Sequence, residues 1–378
     1  MYNNNRRMMT SNDIGNENFE NWMRPKLRAY YDSKIDYLRK VVGEIAAPQA
    51  GPQFLKVALG KDSDELSSDS VDISMYQPMR QYLKVSGKLF RPLLTCIFIE
   101  GYGKNADAYK PILAISEIIH SSSLILDDIA DASLLRRGST CSHLIYGIPR
   151  AANASCTMTF YVFRLLQSPL LSLTTEIKNK LYEVLLWEHY VTNIGSALDL
   201  GWAYEKRNNT TEEEFIQHIL FRSCSYTYRH AAQIGAIVAG ANTKNIEIIF
   251  QYCSLLGLAF QLIDDILNLK PALETWGKTI GEDLTEGKRS LLVLYCLKIA
   301  SISDRNRLLE ILDGKVMDQL VLKEAITILE KYQVFEYVMN KAKKFINDAI
   351  RVLDEADLNE EYKLLLQEFA LYVVERKI

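Results

Sequence analysis

The sequence predicts an all-α protein, because helical periodicity recurs along almost its whole length. From Met75 onward, nearly every segment is an apolar run with helical spacing, joined to the next by a short polar stretch. No strand-rich stretch interrupts this pattern. Ahead of it, a helix is predicted from Trp22 to about Val42, where apolar residues recur at spacings of three and four: Leu27, Tyr30, Tyr31, Ile35, Leu38 and Val41.

Length and composition are those of a globular protein with a large core. The chain has 378 residues, 48% of them apolar and 24% charged, which is enough for one large domain or two average ones. Residues 1–20 are polar and rich in Asn, so we predict a disordered tail there. Residues 21–378 are predicted to form a single helical domain, with breaks at Pro48, Gly51 and Pro52 and a Ser/Asp-rich loop over 62–72.

Charge and cysteine usage limit the possible partners and compartment. A net charge of −3 gives no general attraction to nucleic acid or to an anionic membrane. No apolar run approaches the roughly 18 to 20 residues of a transmembrane segment. Six cysteines without CxxC spacing are typical of buried thiols in a reducing compartment. We therefore expect a cytoplasmic protein, although Arg6 and Arg7 leave organelle import open.

The first acidic cluster ends an apolar run at residues 120–138. Asp127 and Asp131 are four residues apart, so a helix presents them on one face, and Asp128 lies between them. Like charges held together favour a divalent cation, and an oxygen-only ligand set suits Mg²⁺. For one cluster alone, a solvated acidic face or a helix cap remains the alternative.

The same aspartate pattern recurs at the end of a later apolar helix, at Asp264 and Asp265. Between the clusters, Thr210 with Glu213 or Thr211 with Glu214 predicts a capping box that begins the helix carrying Arg222. After the second cluster, a Gly- and Lys-rich segment over 277–290 is a candidate lid that closes on an anion.

Two acidic clusters on apolar helices, surrounded by cations, indicate a diphosphate substrate with an apolar remainder. The sequence contains neither GxxxxGK[ST] nor GxGxxG, which argues against a nucleotide. In Gly87-Lys88-Leu89-Phe90-Arg91-Pro92, the two cations are three residues apart and can face one anion. The other cations of this set are Arg136, Arg137, Arg222, Lys278 and Lys288.

These motifs resemble the trans-isoprenyl diphosphate synthases from about residue 75 to the C-terminus. The resemblance rests on Asp-Asp-Ile-Ala-Asp followed by Arg-Arg-Gly, and on Phe-Gln-Leu-Ile-Asp-Asp followed by Gly-Lys and Glu-Gly-Lys. The stretch from His120 to Gly138 is most similar to geranylgeranyl diphosphate synthases of the eukaryotic type. The resemblance implies an isoprenoid-synthase-type helical bundle around a deep central cavity, usually as a homodimer.

The resemblance also implies roles for individual residues. Asp127, Asp131 and Asp264 are expected to coordinate Mg²⁺, three ions per active site, with Asp128 and Asp265 acting through bound water. The allylic diphosphate is expected to meet Arg136, Arg222, Lys278, Lys288 and Gln261, with Ser223 and Tyr226 nearby. Isopentenyl diphosphate, the second substrate, is expected to meet Lys88, Arg91, His120 and Arg137.

Two small residues point to the product length. Ser123 and Ser122 lie four and five positions before Asp127, which is about 6 to 7.5 Å along the helix. With no bulk there, we expect a C20 product, made from farnesyl diphosphate. Ser196, Ala130 and Arg222 depart from the family pattern and bear on rate and substrate preference.

Three other functions stay open at this point. A class I terpene cyclase would keep the metal-binding aspartates but has no use for Lys88, Arg91, His120 and Arg137. A longer-chain polyprenyl diphosphate synthase would share every motif. A non-catalytic partner subunit would typically have lost one aspartate cluster, and both are present here.

Overall fold

Helices make up almost all of the regular structure in the computed structural model, which describes residues 20–46, 51–52, 55–56, 66–84, 87–270 and 281–376. The first half of the chain contains α1 (Pro25–Ala46), α2 (Ser68–Val71), α3 (Gln77–Lys84), α4 (Phe90–Gly101), α5 (Lys110–Ala130), α6 (Ser142–Tyr146) and α7 (Ile148–Leu165). The second half contains α8 (Thr175–Tyr204), α9 (Glu212–Ile219), α10 (His230–Ala239), α11 (Thr243–Leu269), α12 (Glu282–Thr285), α13 (Leu291–Ile299), α14 (Ile302–Asp313), α15 (Gln319–Lys331), α16 (Val334–Asp354) and α17 (Glu360–Glu375).

Two π-helical segments join neighbouring helices. Asp72–Tyr76 connects α2 to α3, and Leu220–Arg229 connects α9 to α10. A π-helix has a wider turn than an α-helix, which changes the direction of its side chains and is frequent at functional sites. The second segment carries Arg222 and Ser223, both named as candidates from the sequence.

A two-stranded hairpin follows α5 directly. Leu135–Arg136 (β1) pairs antiparallel with Ser139–Thr140 (β2), in the register Leu135↔Thr140 and Arg136↔Ser139. The two residues between the strands, Arg137 and Gly138, both have positive φ, 52° and 76°. Two positive φ values are what a tight I′-type hairpin turn requires.

Helix α11 forms the centre of the bundle. It packs against α16 and against the second π-helical segment, and its buried residues include Tyr252, whose hydroxyl donates to the Leu366 carbonyl of α17 (2.7 Å). Among the described residues, α11 is the one helix long and apolar enough to cross a membrane, a possibility that the sequence prediction did not include. In its most apolar window, 61% of the residues are buried inside the protein, as in a core helix.

The structure confirms the all-α prediction and corrects several details. The loop predicted over 62–72 is wrong at its end, because Ser68–Val71 is helical and Ser67 caps it through its hydroxyl. Of the two possible capping boxes, Thr211–Glu214 forms. Five cysteines are buried as expected, but Cys156 is exposed. Residues 1–19 of the predicted tail lie outside the described residues. Lys278 lies outside them as well.

Candidate active site

The end of α5 exposes two of its three aspartates. Asp127 is partly buried one turn before the helix end, and Asp131 is the exposed C-cap residue, whose N–H donates to the Asp127 carbonyl (2.8 Å). Burial raises the pKa of both carboxyl groups, and nearby cations, Arg222 for Asp127 and Lys288 for Asp131, oppose the rise. The surroundings of Asp127 and Asp131 therefore disfavour their charged forms, which a bound cation would favour.

Asp128, between them, points the other way. It is 1% exposed, and Arg136 Nε donates to its Oδ1 (2.8 Å) while the Tyr82 hydroxyl donates to its Oδ2 (3.4 Å). Burial disfavours the charge of Arg136, but the hydrogen bond that Arg136 donates to Asp128 and the charge of Asp128 together outweigh burial and raise the pKa of the guanidinium. In this geometry Asp128 and Arg136 neutralise each other, and the roles of Asp128 in metal binding and of Arg136 in diphosphate binding stay predictions.

The π-helical segment places Arg222 between two carboxylates. Its Nη1 lies 3.3 Å from Asp199 Oδ2, and its Nη2 lies 3.8 Å from Asp127 Oδ1. Asp199 also faces the buried His218, whose Nε2 is 3.5 Å away. Burial lowers the pKa of His218 to about 4, so its imidazole is neutral at pH 7. Arg222 is thus a cation beside the end of α5, and the diphosphate role that the resemblance implied for it stays a prediction.

Helix α11 supplies the second acidic cluster. Asp265 is 7% exposed, and Gln261 Nε2 donates to its Oδ1 (2.8 Å). Gln261 in turn accepts from the Ser223 hydroxyl (2.8 Å), so a chain of hydrogen bonds joins the π-helical segment to Asp265. Burial, with the charge of Asp283 close by, raises the pKa of Asp265 well above its usual value.

Asp264 has a partner that the sequence did not suggest. Arg376, which follows α17 at the end of the described chain, forms an ion pair with Asp264 and donates to the Phe260 carbonyl (3.2 Å). Its guanidinium lies 3.9 Å from the centroid of the Phe260 ring, a cation–π contact. Burial and the charge of Arg376 lower the pKa of Lys88 to about 8, and the charge of Asp264 opposes this decrease.

The segment after 280 contributes Lys288. Its Nζ lies 3.1 Å from Asp283 and 2.5 Å from Glu286. Burial opposes the charge of Lys288, but Asp283 and Glu286 raise its pKa on balance. The next residue, Arg289, is buried and paired with Asp313. Lys288 is therefore held at the site, whereas Arg289 fastens the segment to α14.

Several of these groups line one cleft. Asp131 from the end of α5 and Asp265 from α11 both line it, so the two acidic clusters face a common space. Its polar wall also contains Asp199, Arg222, Gln261 and Lys288. Trp202, Phe215 and Ile219 add apolar surface to the lining of the cleft.

A second group of cations collects beside α5. Arg91 is partly buried on α4, and its Nη2 donates to the Thr227 hydroxyl (3.0 Å). Burial and then the charges of Arg91 and Arg137 lower the pKa of His120 well below its usual value. Arg91, His120 and Arg137 therefore lie close together. They are three of the four residues that the sequence grouped around isopentenyl diphosphate.

The comparisons with known proteins agree with this geometry. Residues 73–329 match the polyprenyl synthetase family. A short chain isoprenyl diphosphate synthase of Methanothermobacter thermautotrophicus is 31% identical over 83% of this chain and 94% of its own length. The chain belongs to the polyprenyl synthetase family. This is a family of prenyltransferases, and the recognition made from the sequence is confirmed.

Further relatives of this family extend the likeness to the fold. A geranylgeranyl diphosphate synthase of Sulfolobus acidocaldarius is 28% identical over 74% of this chain and 84% of its own length. The crystal structure of geranylgeranyl pyrophosphate synthetase from Pyrococcus horikoshii Ot3 covers 93% of this chain and 98% of its own, with a TM-score of 0.78 and 26% identity. The isoprenoid-synthase-type helical bundle is thereby confirmed.

The donor set of this prenyltransferase fits a hard divalent cation. The cleft is lined by several carboxylates, among them Asp131 and Asp265, and oxygen ligands are what Mg²⁺ prefers. Within the residues described, no three His, Cys, Asp or Glu side chains form a ready-made group of ligands. Mg²⁺ that keeps several waters and is bridged by substrate phosphates needs fewer protein ligands in close contact.

The two serines predicted to set chain length are placed differently from one another. Ser122 is 3% exposed and donates to the Ser155 carbonyl (2.9 Å), with the Thr159 hydroxyl 2.9 Å away, so it faces α7. Ser123 is half-buried and donates to the His120 carbonyl within its own helix (2.8 Å). Successive residues are about 100° apart on a helix, so only Ser123 shares the face of Asp127. Of the two serines, we therefore keep only Ser123 in the chain-length proposal.

Proposed function

We propose that the protein condenses isopentenyl diphosphate with farnesyl diphosphate to give geranylgeranyl diphosphate and diphosphate. The observation that carries the proposal is the single cleft that Asp131 and Asp265 share with Arg222 and Lys288. Two acidic clusters facing cations suit a substrate whose diphosphate arrives with divalent metal. The apolar surface beside them suits a hydrocarbon remainder.

In this proposal Asp127, Asp131, Asp264 and Asp265 hold Mg²⁺, with three ions per site as in the sequence prediction. When bound, Mg²⁺ supplies positive charge that favours departure of the allylic diphosphate. Arg222 and Lys288 add fixed positive charge at the same place. Asp128 is left out of this set because its side chain is only 1% exposed and is paired with Arg136, whereas the side chain of Asp264, although paired with Arg376, is 39% exposed.

The chemical steps follow from charge separation. The bond between C1 and the diphosphate oxygen of the allylic substrate breaks, and the electron pair leaves with the diphosphate. The double bond of isopentenyl diphosphate then attacks the allylic cation, forming the new carbon–carbon bond. A proton is lost to the departing diphosphate. The enzyme's carboxylates act as ligands in this scheme, and its cations orient the two diphosphates.

The C20 product is supported by the small side chain of Ser123 on the Asp127 face of α5. The test is chromatography of products formed from radiolabelled isopentenyl diphosphate, farnesyl diphosphate and Mg²⁺. A predominant C20 product is expected. A C15 product, or products of C30 and longer, would contradict the proposed length, and no labelled product would contradict the reaction. Release of hydrocarbon or alcohol from geranylgeranyl diphosphate alone would identify a terpene cyclase instead.

We also propose that the protein is a homodimer, formed through α8. This helix exposes a stripe of large apolar side chains, with exposed fractions of 57% for Leu186, 57% for Trp187 and 64% for Tyr190. An apolar stripe on a long helix is typical of an interface. Light scattering tests this proposal: the wild-type protein should have twice the mass of the chain, and Trp187→Glu should halve it.

A further inference from the structure

Glu117, on the buried side of α5, is a charged residue with no part in the scheme above. It is 1% exposed and lies three residues before His120. Burying a carboxylate costs several kcal/mol unless an opposite charge meets it. The charge that meets it is Arg137, whose Nη2 lies 3.7 Å from Glu117 Oε1. That distance is an ion pair but too long for a hydrogen bond, and Oε1 has no hydrogen-bond partner among the described residues.

The backbone of the hairpin aims Arg137 towards Glu117. Arg137 has φ of 52°, a left-handed conformation that L-residues adopt at a cost of about 1 kcal/mol or more. An arginine in this position is held there by its surroundings. The turn between β1 and β2 turns the side chain away from Arg136, which pairs with Asp128 on the other side.

Gly87 leaves room for the same guanidinium. A Cβ atom added at Gly87 would lie 3.1 Å from Arg137 Nη2 and 3.2 Å from Cζ, tighter than ordinary van der Waals contact. The absence of a side chain at Gly87 therefore lets Arg137 pass close to the loop that precedes Lys88. Loop, hairpin and α5 meet at this one side chain.

Arg91 completes the arrangement. Burial lowers the pKa of Arg91, and Glu117 is the largest of the influences that oppose this. Its Nε has no hydrogen-bond partner among the described residues. One buried carboxylate therefore forms an ion pair with Arg137 and acts on Arg91 through its charge.

We infer that Glu117 is a positioning residue that holds Arg91 and Arg137 ready for the diphosphate of isopentenyl diphosphate, with Gly87 providing the space that Arg137 occupies. This inference rests on the proposed function and adds two residues to it. Glu117 pairs with Arg137 and acts on Arg91 through its charge, and it leaves the substrate to them. Its charge compensates theirs in the absence of substrate, and the loose contact of 3.7 Å lets the guanidinium shift when a diphosphate binds.

The test compares steady-state kinetics for the two substrates separately. Glu117→Gln keeps the size but removes the charge, so the KM for isopentenyl diphosphate should rise about tenfold, while the KM for farnesyl diphosphate and kcat stay within about twofold. Glu117→Asp restores the charge at a shorter reach and should recover part of the loss. A change of equal size in both KM values, or none in either, would overturn the inference.

A second variant keeps the test decisive if Glu117→Gln does not fold. Gly87→Ala leaves every charge in place but crowds Arg137, so the KM for isopentenyl diphosphate alone should rise about threefold or more. Gly43→Ala on α1 is the matched control, because no described atom lies within 4 Å of its added Cβ. If Gly87→Ala behaves like Gly43→Ala, the inference fails. If the wild-type protein forms no elongated product, the proposed function fails instead.

Discussion

At the scale of single residues, neighbours in the sequence have different roles. Asp127 lies 3.8 Å from Arg222, which lines the cleft, whereas Asp128 is buried against Arg136. Arg136 and Arg137 likewise point to Asp128 and to Glu117. Helical rotation of about 100° per residue separates the first pair, and the hairpin turn separates the second. Neighbouring residues of the Asp127–Arg137 stretch therefore make different contacts, and only some of them are placed to meet a substrate of the proposed reaction.

Ser123 offers a direct test of chain length at this scale. Ser123→Phe places an aromatic ring on the Asp127 face of α5, about 6 Å along the helix from the aspartate. We expect the main product to shorten from C20 to C15, because the ring fills space that the growing chain would occupy. Product chromatography measures this. Ser122→Ala, which faces α7, is the control and should leave the product unchanged; an unchanged product for Ser123→Phe would remove Ser123 from the path of the chain.

At the scale of elements, the π-helical segment Leu220–Arg229 depends on glycines in the helices beside it. An added Cβ at Gly195 of α8 would lie 2.5 Å from the Arg222 backbone nitrogen, and one at Gly257 of α11 would lie 2.6 Å from Cys224 Sγ. Real Cβ atoms essentially never approach so closely. Both glycines therefore permit the close contacts that bring Arg222 and Ser223 to the cleft.

Gly195→Ala should separate α8 from this segment. Overpacking of a tight contact costs about 1 to 3 kcal/mol, and displacement of the Arg222 backbone should also lower kcat. Gly201→Ala on the same helix is the matched control, since the described structure has no atom within 4 Å of its added Cβ. There the change should stabilise the protein by about 0.5 to 1 kcal/mol through helix propensity. Urea unfolding measures the change in stability of both variants, and steady-state kinetics measures kcat. Equal effects at Gly195 and Gly201 would contradict this account.

The parts of the site that the sequence predicted are the local ones. The i, i+4 spacing of Asp127 and Asp131 and the apolar run before Asp264 follow from helix geometry alone. The pairing of Arg376 with Asp264 spans 112 residues and depends on where α17 packs. Glu117 interrupts an apolar run of α5. Nothing in the neighbouring residues shows whether its side chain is solvated or paired inside the protein. Such contacts arise from tertiary packing and have no short-range signal.

At the scale of the whole molecule, buried histidines link the fold to pH. His230 is 1% exposed, and burial lowers its pKa to about 3. Its usual pKa in an unfolded chain is about 6.5, so between these values the unfolded state binds a proton that the folded state does not. The folded state is therefore fully favoured above pH 6.5, and stability is lost as the pH falls.

A variant isolates this contribution from the carboxylates, whose raised pKa values act in the opposite direction. Between pH 7 and pH 5 the wild-type protein should lose about 2 kcal/mol of unfolding free energy relative to His230→Gln, which cannot bind the proton. Urea titrations at both pH values measure the difference. Because the two proteins are compared at each pH, the intrinsic cost of the substitution cancels. A constant difference would show that the pKa of His230 is the same in the folded and unfolded states, which would contradict this account.

The central claim is that the acidic clusters of α5 and α11 act as one site. The most direct measurement is the rate at which Asp127→Asn, Asp264→Asn and the double variant incorporate labelled isopentenyl diphosphate. Glu176→Gln is the control, because Glu176 forms an exposed ion pair with Lys180. Groups that act as a unit are strongly non-additive, so each single variant should lose about a hundredfold or more and the double variant little beyond that. Losses that multiply in the double variant, or a single variant with the rate of the control, would contradict the claim.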